Sequence, residues 1–335
     1  MNSDAVAARF RPAALEALKV FPVNSTQVEL VSLSENVTFR VTDNDIGAKY
    51  VLRLHRPGYQ TLAGLNSERV WTAALATAGI STQIPVLTNT GQHFHRVDIP
   101  EVGERRYVGM TQWVEGTMLS DQWGAGASLE DRQRCFRQIG VLAAKIHNQS
   151  SQWAIPADFE RCHYDIDGLL GEDPYWGRFW QHPSLTANEQ ALLLRTRGQI
   201  RESLQAYPPT TATYGLIHAD LDPHNILVYE DRVTLIDFDD AGYGWHLYEL
   251  AAALLSEIGE PDFPHVCEAL LAGYCEYREL SKCDVALLPM FILIRGIVTI
   301  GWYGERPEID SEGYFDELKA AVLTRCAALN QHHGM

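Results

Sequence analysis

The first third of the chain is patterned in short steps and the rest in long ones. Residues 28–33 form a short apolar-rich run, and 38–42 place Phe39 and Val41 on alternate positions, the period of a half-buried strand. Asp43-Asn44-Asp45-Ile46-Gly47 is turn chemistry, so 49–55 reads as a hairpin partner. An alanine-rich segment, 12–20, predicts a helix ahead of these strands, and 62–78 predicts a second one stopped by Gly79. Residues 85–87 and 94–97 are short strand candidates, and 105–114 is a longer one ending at Glu115-Gly116. The period then changes. Residues 129–147 carry Ile139, Leu142, Ala143 and Ile146 at helical spacing. Helical patterns recur at 187–206, 247–258, 263–280, 285–303 and 314–329, interrupted by two short apolar strands, 215–218 and 233–236. The prediction is an α+β chain without internal repeats: a small antiparallel-sheet lobe with one main helix, residues 1–113, and a larger, mostly helical lobe, residues 114–335.

Composition narrows the partners more than the fold. With 335 residues, 46% hydrophobic and 21% charged, the chain is long enough for two lobes with real cores. A formal net charge of -16 argues against nucleic acid or an anionic membrane as a partner. It is compatible with a cationic substrate, although acidity of this size more often serves solubility. The six cysteines include no Cys-x-x-Cys pair, which predicts reduced thiols. The start lacks a basic region followed by an apolar run, and the apolar run 290–300 contains Arg295 and is too short to span a bilayer. The expected location is the cytoplasm.

The candidate chemistry is concentrated in residues 215–250. His218, Asp220 and Asn225 follow the first of the two short strands, and Asp237, Asp239 and Asp240 follow the second. Carboxylates and an amide at the ends of adjacent buried strands cost free energy unless they hold a cation or handle a proton. The order His-x-Asp-Leu-x-x-x-Asn, a strand, then Asp-Phe is that of a kinase catalytic loop followed by its metal-binding carboxylate. In that order Asp220 orients or deprotonates an attacking hydroxyl, and Asn225 and Asp237 are hard oxygen ligands for magnesium. His218 reads as a packed loop organiser and His224 as a solvent- or substrate-facing residue. A zinc site from Asp220, His218 and His224 lacks a third ligand at the usual spacing. Gln112 and Val114, at the lobe junction, suit adenine recognition through backbone groups. Trp245, Tyr248, Arg295, Trp302 and Tyr303 are candidates for an acceptor wall that would suit a cation.

On these residues the chain resembles the aminoglycoside phosphotransferase-like kinases, a family with choline kinase-like and homoserine kinase-like members and a protein kinase-like two-lobed fold. His218-Ala219-Asp220-Leu221-Asp222-Pro223-His224-Asn225 looks like its catalytic loop, and Leu235-Ile236-Asp237-Phe238-Asp239 like its metal-binding segment. Leu142-Ala143-Ala144-Lys145-Ile146-His147 resembles the helix beneath the site, and Trp113-Val114-Glu115-Gly116 the hinge. Ser34-Glu35-Asn36-Val37 and the residues after it resemble the hairpin over the nucleotide phosphates. The resemblance implies ATP and Mg2+ as cofactors, with Asn36 and Arg53 near the phosphates and Glu68 paired to the cation on strand 50–54. It also implies Asp239, Glu249 and His224 as supporting or acceptor residues, and a small-molecule hydroxyl as acceptor. A protein serine/threonine acceptor and a catalytically weak nucleotide-binding module are the alternatives. Three positions depart from the pattern: Arg53 replaces the usual lysine, Ala219 a common glycine, and Glu249 a common aspartate.

Overall fold

The computed structural model describes residues 3–34, 36–123, 128–307, 309 and 313–332; Glu35 of the expected phosphate-covering hairpin lies outside them. The chain divides into two units. One comprises Met1–Thr117, Ile155–Glu160 and Leu227–Asp239, and the other Met118–Ala154, Arg161–Ile226 and Asp240–Met335.

The first unit is built on an antiparallel sheet. Strands β1 (Glu29–Leu33), β2 (Val37–Thr42) and β3 (Lys49–Leu54) are followed by β4 (Phe94–Ile99) and β5 (Glu104–Gln112). β5 pairs with β3 on one edge, and with β4 and the short strand Pro85–Val86 on the other. Alternation divides the labour of the sheet. Val37, Phe39, Val41, Leu52, Leu54, Val108 and Met110 pack with Phe10, Ala13, Ala14, Ala17 and Leu18 of helix α1 (Ser3–Leu18). The intervening positions Val51, Arg53, Gly109 and Thr111 line a cleft with Glu68, Arg69 and Thr72 of helix α2 (Leu62–Thr77). α1 begins nine residues before the proline at which the sequence placed its start. Pro12 sits inside it, because a stripe from Ala7 through Ala17 buried on the sheet outweighs the hydrogen bond that proline removes.

The second unit is mostly helical. α3 (Leu129–Gln152) and α4 (Ala187–Gln205) each open on a capping box, Ser128 with Asp131 and Thr186 with Glu189. Strand β6 (Tyr214–Ile217) leads to the loop that carries Asp220 and Asn225. The hairpin β7 (Ile226–Tyr229) and β8 (Arg232–Leu235), counted from Leu227 with the first unit, is followed by β9 (Gly242–Trp245). Helices α5 (His246–Leu254), α6 (Phe263–Tyr274), α7 (Lys282–Gly304) and α8 (Tyr314–His332) complete the chain.

Two expectations are corrected here. The two short strands of the central stretch are not neighbours: β6 pairs antiparallel with β9, whereas β8 pairs with β7 and Ser81–Thr82. β9 escapes a pattern reading because its glycines look like turn formers; they are there for contact, since a Cβ on Gly244 would lie 2.5 Å from the Ile217 Cδ1 atom. And α7, at 23 residues, is long and apolar enough by composition to cross a bilayer, contrary to the short span read from 290–300. Its apolarity belongs to packing inside the protein, for Phe291, Ile294, Ile297 and Ile300 are fully buried.

Candidate active site

In the first unit, the chemistry gathers where β3, α2 and the segment after β8 meet. Arg53 pairs in register with Thr38 on one side and Gly109 on the other. Its Nη1 donates to Asp237 Oδ1 at 2.9 Å and lies 3.3 Å from Asp239 Oδ2. Burial opposes the charge of Arg53, and the carboxylates of Asp237, Asp239 and Glu68 outweigh it, so the guanidinium is held protonated above the usual arginine range. Glu68 is also 3.5 Å from the Arg69 guanidinium, which lies over the Phe94 ring. The space that Arg69 and Phe94 occupy is provided by Gly109, where a Cβ would stand 2.7 Å from the Phe94 ring. Arg53 thus faces three carboxylates where the sequence named one partner, Glu68.

Asp239 is a buried hub. It accepts from the Asn36 side chain, its backbone oxygen accepts from Gln60 at 2.9 Å, and His55 Nδ1 is 3.8 Å from its Oδ1. Burial drives the His55 pKa down to about 3 against the pull of Asp239, so the ring is neutral at physiological pH. Asn36 uses the other end of its amide to accept the Arg56 N–H at 3.0 Å. Both residues help to hold the loop: Asn36 places the start of β2, and Asp239 ties it to β3. Asp237 differs. Its backbone sits at φ 61, a left-handed conformation that Asp tolerates better than most residues, and its side chain is 41% exposed.

At the hinge, the Gln112 N–H is given to the Ile84 carbonyl at 2.8 Å and the Trp113 N–H to the Lys49 carbonyl at 3.0 Å. Among the described residues no acceptor is bonded to the Val114 N–H.

In the second unit, the loop of residues 218–225 is held from beneath. Both oxygens of Glu249, on α5, are used: Oε1 accepts the His218 N–H at 2.7 Å and Oε2 the Ala219 N–H at 2.6 Å. Ala219 has φ 65, so the position where the resemblance leads one to expect glycine is left-handed, with a methyl group in it. Glu249 is fully buried, and burial lifts its pKa to about 7 in spite of the two N–H donors. His147, 3.9 Å from Glu249, stacks on His246 and shares a 2.8 Å hydrogen bond with the Tyr274 hydroxyl. Burial holds it neutral. His218 is fully buried, as a loop organiser would be.

Asp220 is fixed at both carboxylate oxygens. Arg295, on α7, donates through Nη2 to Oδ1 at 2.7 Å, and Asn225 donates through Nδ2 to Oδ2 at 2.8 Å and to the Asp220 carbonyl at 2.9 Å. That use of Nδ2 leaves the Asn225 amide oxygen for another partner. Asp222 caps the short turn that carries Asn225, accepting the His224 N–H at 2.9 Å and meeting His224 Nδ1 at 2.5 Å. The hydrogen bond to Asp222 raises the His224 pKa, and the ring is otherwise open to solvent. Among the described residues no three His, Cys, Asp or Glu side chains are grouped to hold a metal.

The acceptor wall expected from the sequence is mostly core. Trp245 and Tyr248 are fully buried; Trp245 packs on Tyr214 and Phe291, and the Tyr248 hydroxyl accepts from Arg295 Nη1 at 3.3 Å. Aromatic residues flanking buried helices are core first, and spacing alone does not separate the two uses. Arg295 itself lies 4.4 Å from the centre of the Trp176 ring. Trp176, in an aromatic loop to which the sequence reading gave no role, is brought to the base by folding alone.

Known proteins resemble this chain over most of its length. The model of the phosphotransferase enzyme family (APH) matches residues 26–284. A solved structure described as a microcompartment-associated aminopropanol kinase aligns over 99% of this chain and 98% of its own, with TM-score 0.82 and 30% identity. Amicoumacin kinase of Bacillus subtilis is 21% identical over 311 residues, covering 89% of this chain and 86% of its own. An amicoumacin kinase solved with AMP-PNP, Ca2+ and Ami covers 96% of each chain, with TM-score 0.74 and 18% identity, and so shares the fold.

Proposed function

The chain belongs to the phosphotransferase enzyme family, and on that footing we propose that it moves the γ-phosphate of ATP to the hydroxyl of a small amino alcohol. The observation that carries the proposal is Asp220: a carboxylate held at both oxygens, on a loop whose backbone is pinned by Glu249. Phosphoryl transfer asks the protein for aim and charge neutralisation rather than covalent work. Asp220 would accept the hydrogen bond of the attacking hydroxyl and take its proton as the new phosphorus–oxygen bond forms and the bond from the γ-phosphorus to the bridging oxygen breaks, releasing ADP.

Asn225 and Asp237 would hold magnesium. The donors suit it: Asn225 keeps an amide oxygen uncommitted, and Asp237 presents a partly exposed carboxylate. Hard oxygen ligands completed by phosphate and water need only one or two protein side chains. The bound ion would supply charge neutralisation at the phosphates. Arg53 would contribute a fixed positive charge beside Asp237, with Glu68 as its brace, and Gln112 and Val114 would meet adenine through backbone C=O and N–H. In this reading residues 1–113 cover the nucleotide and residues 114–335 carry the base and the acceptor, in the cytoplasm. The amino alcohol is favoured because the aminopropanol kinase resembles this chain over nearly the whole length of both.

The test is purified protein with ATP, magnesium and a panel of amino alcohols, homoserine and aminoglycosides, read by phosphorus NMR and ADP release. A phosphorylated amino alcohol formed by wild type and not by Asp220→Asn, with ATP binding kept in both, is the expected outcome. Normal ATP binding with no acceptor turned over would sink the metabolite-kinase reading.

A further inference from the structure

Arg295 is a buried cation that donates to Asp220 Oδ1 at 2.7 Å. Its side chain is 8% exposed, on a helix otherwise apolar along its buried length. Burying a guanidinium is costly unless its charge and donors are met. Here Nη2 meets Asp220, Nη1 meets the Tyr248 hydroxyl, and the guanidinium carbon lies over the Trp176 ring, 4.4 Å from its centre. Among the described residues Nε finds no acceptor, so the group is placed for Asp220 rather than for its own full satisfaction.

We propose that Arg295 is a positioning residue for phosphoryl transfer, locking the rotation of Asp220 by holding Oδ1 while Asn225 holds Oδ2. The proposal rests on the reading of Asp220 as the residue that receives the acceptor hydroxyl. A carboxylate turns about its Cβ–Cγ bond unless both oxygens are tied; with Asn225 alone it would keep one hinge. The clamp leaves a third of the Asp220 side chain open, and it fixes the direction from which a hydroxyl can donate. Trp176 and Tyr248 hold the guanidinium in plane, so aim passes from the aromatic loop through Arg295 to the base.

The pair can be tested by two independent measurements. A double-substitution cycle on thermal stability, with Asp220→Asn, Arg295→Met and both together, asks whether the two residues act on each other. A coupled, non-additive result is expected, and additivity would overturn the clamp even if no acceptor were known. Steady-state kinetics with whichever acceptor the panel identifies asks what the clamp does. Misplaced aim lowers kcat by about 100-fold with little change in acceptor KM. Free guanidine should restore part of the rate to Arg295→Met, while Arg295→Lys, which keeps the charge without the planar fork, should recover only part of it. Trp176→Leu, which leaves the ion pair intact, should lower kcat in the same sense by less. A folded Arg295→Met protein with wild-type kcat, or with its whole loss in KM, would refute the role. A wild type that transfers phosphate to nothing, together with a coupled cycle, would leave the clamp standing and remove the proposed function instead.

Discussion

Glu249→Gln separates the two demands made on the residue that pins the catalytic loop. The wild-type carboxylate accepts two backbone N–H groups while fully buried. Hydrogen bonds to a charged acceptor favour ionisation; burial opposes it and wins, raising the pKa from an ordinary 4.5 to about 7. The groups facing it from neighbouring elements do not reverse this, because His147 is neutral and the charges of Asp220 and Arg295 act in opposite directions. A group whose pKa is raised by folding stabilises the native state below its unfolded value, and that contribution is lost as pH rises through the folded value. From 4.5 to about 7 the loss is about 3 kcal/mol. Glutamine is neutral throughout, keeps one acceptor, and sets an NH2 group against the second N–H, a mismatch of about 1–3 kcal/mol at every pH. The variant should therefore gain on wild type by up to about 3 kcal/mol between pH 5 and pH 8, measured from urea midpoints at fixed ionic strength. A stability difference that stays flat across that range would refute the reasoning, because it would mean that Glu249 is ionised, or neutral, throughout.

Arg53→Lys should fold and keep measurable transfer, since both carboxylate contacts run through a single terminal nitrogen that an ammonium can imitate. Arg53→Met should cost about 3–5 kcal/mol in urea unfolding, because it removes the cation from a buried group of acids; a loss below 1 kcal/mol would show the pairing to be incidental. Ala219→Gly should leave stability within about 1 kcal/mol of wild type, since relief of the left-handed strain is offset by the lost methyl burial and the added chain entropy. Ala219→Val, which puts a branched side chain at φ 65, should lower both melting temperature and kcat, and an unaffected protein would argue against the left-handed geometry.

Much of this architecture could be read because it is periodic. α3 and α7 were found within a few residues of their ends from apolar spacing, and the sheet of the first unit from alternation around a strong turn. Asp220, Asn225 and Asp237 stood out because the order of their residue types is itself the signal. What stayed hidden has no period. Arg53 and Asp237 stand 184 residues apart, and no local pattern says that Asp237 and Asp239, rather than Glu68 alone, would gather on that guanidinium. The resemblance places Asn36 near the nucleotide phosphates, and no local pattern says that its amide also closes two internal hydrogen bonds. Tyr248 looked like a ligand wall because an aromatic near strand ends serves either use; burial decides between them, and burial is set by the whole fold.

The departures from the family pattern are linked at one point. Ala219 occupies a conformation that disfavours a side chain by roughly 1–2 kcal/mol, and such strain persists only where surrounding contacts over-determine the backbone. Those contacts come from Glu249. Its Oε2 takes the N–H of Ala219 itself and its Oε1 the N–H of the residue before, so one side chain fixes both peptide groups that flank the strained residue's entry. A carboxylate reaching up from α5 must be long enough to present both oxygens to the backbone, which gives the extra methylene of glutamate a function here. Asp220 comes next in the chain, and its carboxylate is in turn tied on both sides, by Arg295 and Asn225. The alanine, the glutamate and the arginine therefore bear on one quantity, the direction in which the Asp220 carboxylate faces. Glu249→Asp in the wild-type background should then lower kcat more than Glu249→Asp combined with Ala219→Gly, since glycine removes the strain that the shorter acid can no longer hold. Equal losses in the two proteins would break the link between positions 219 and 249.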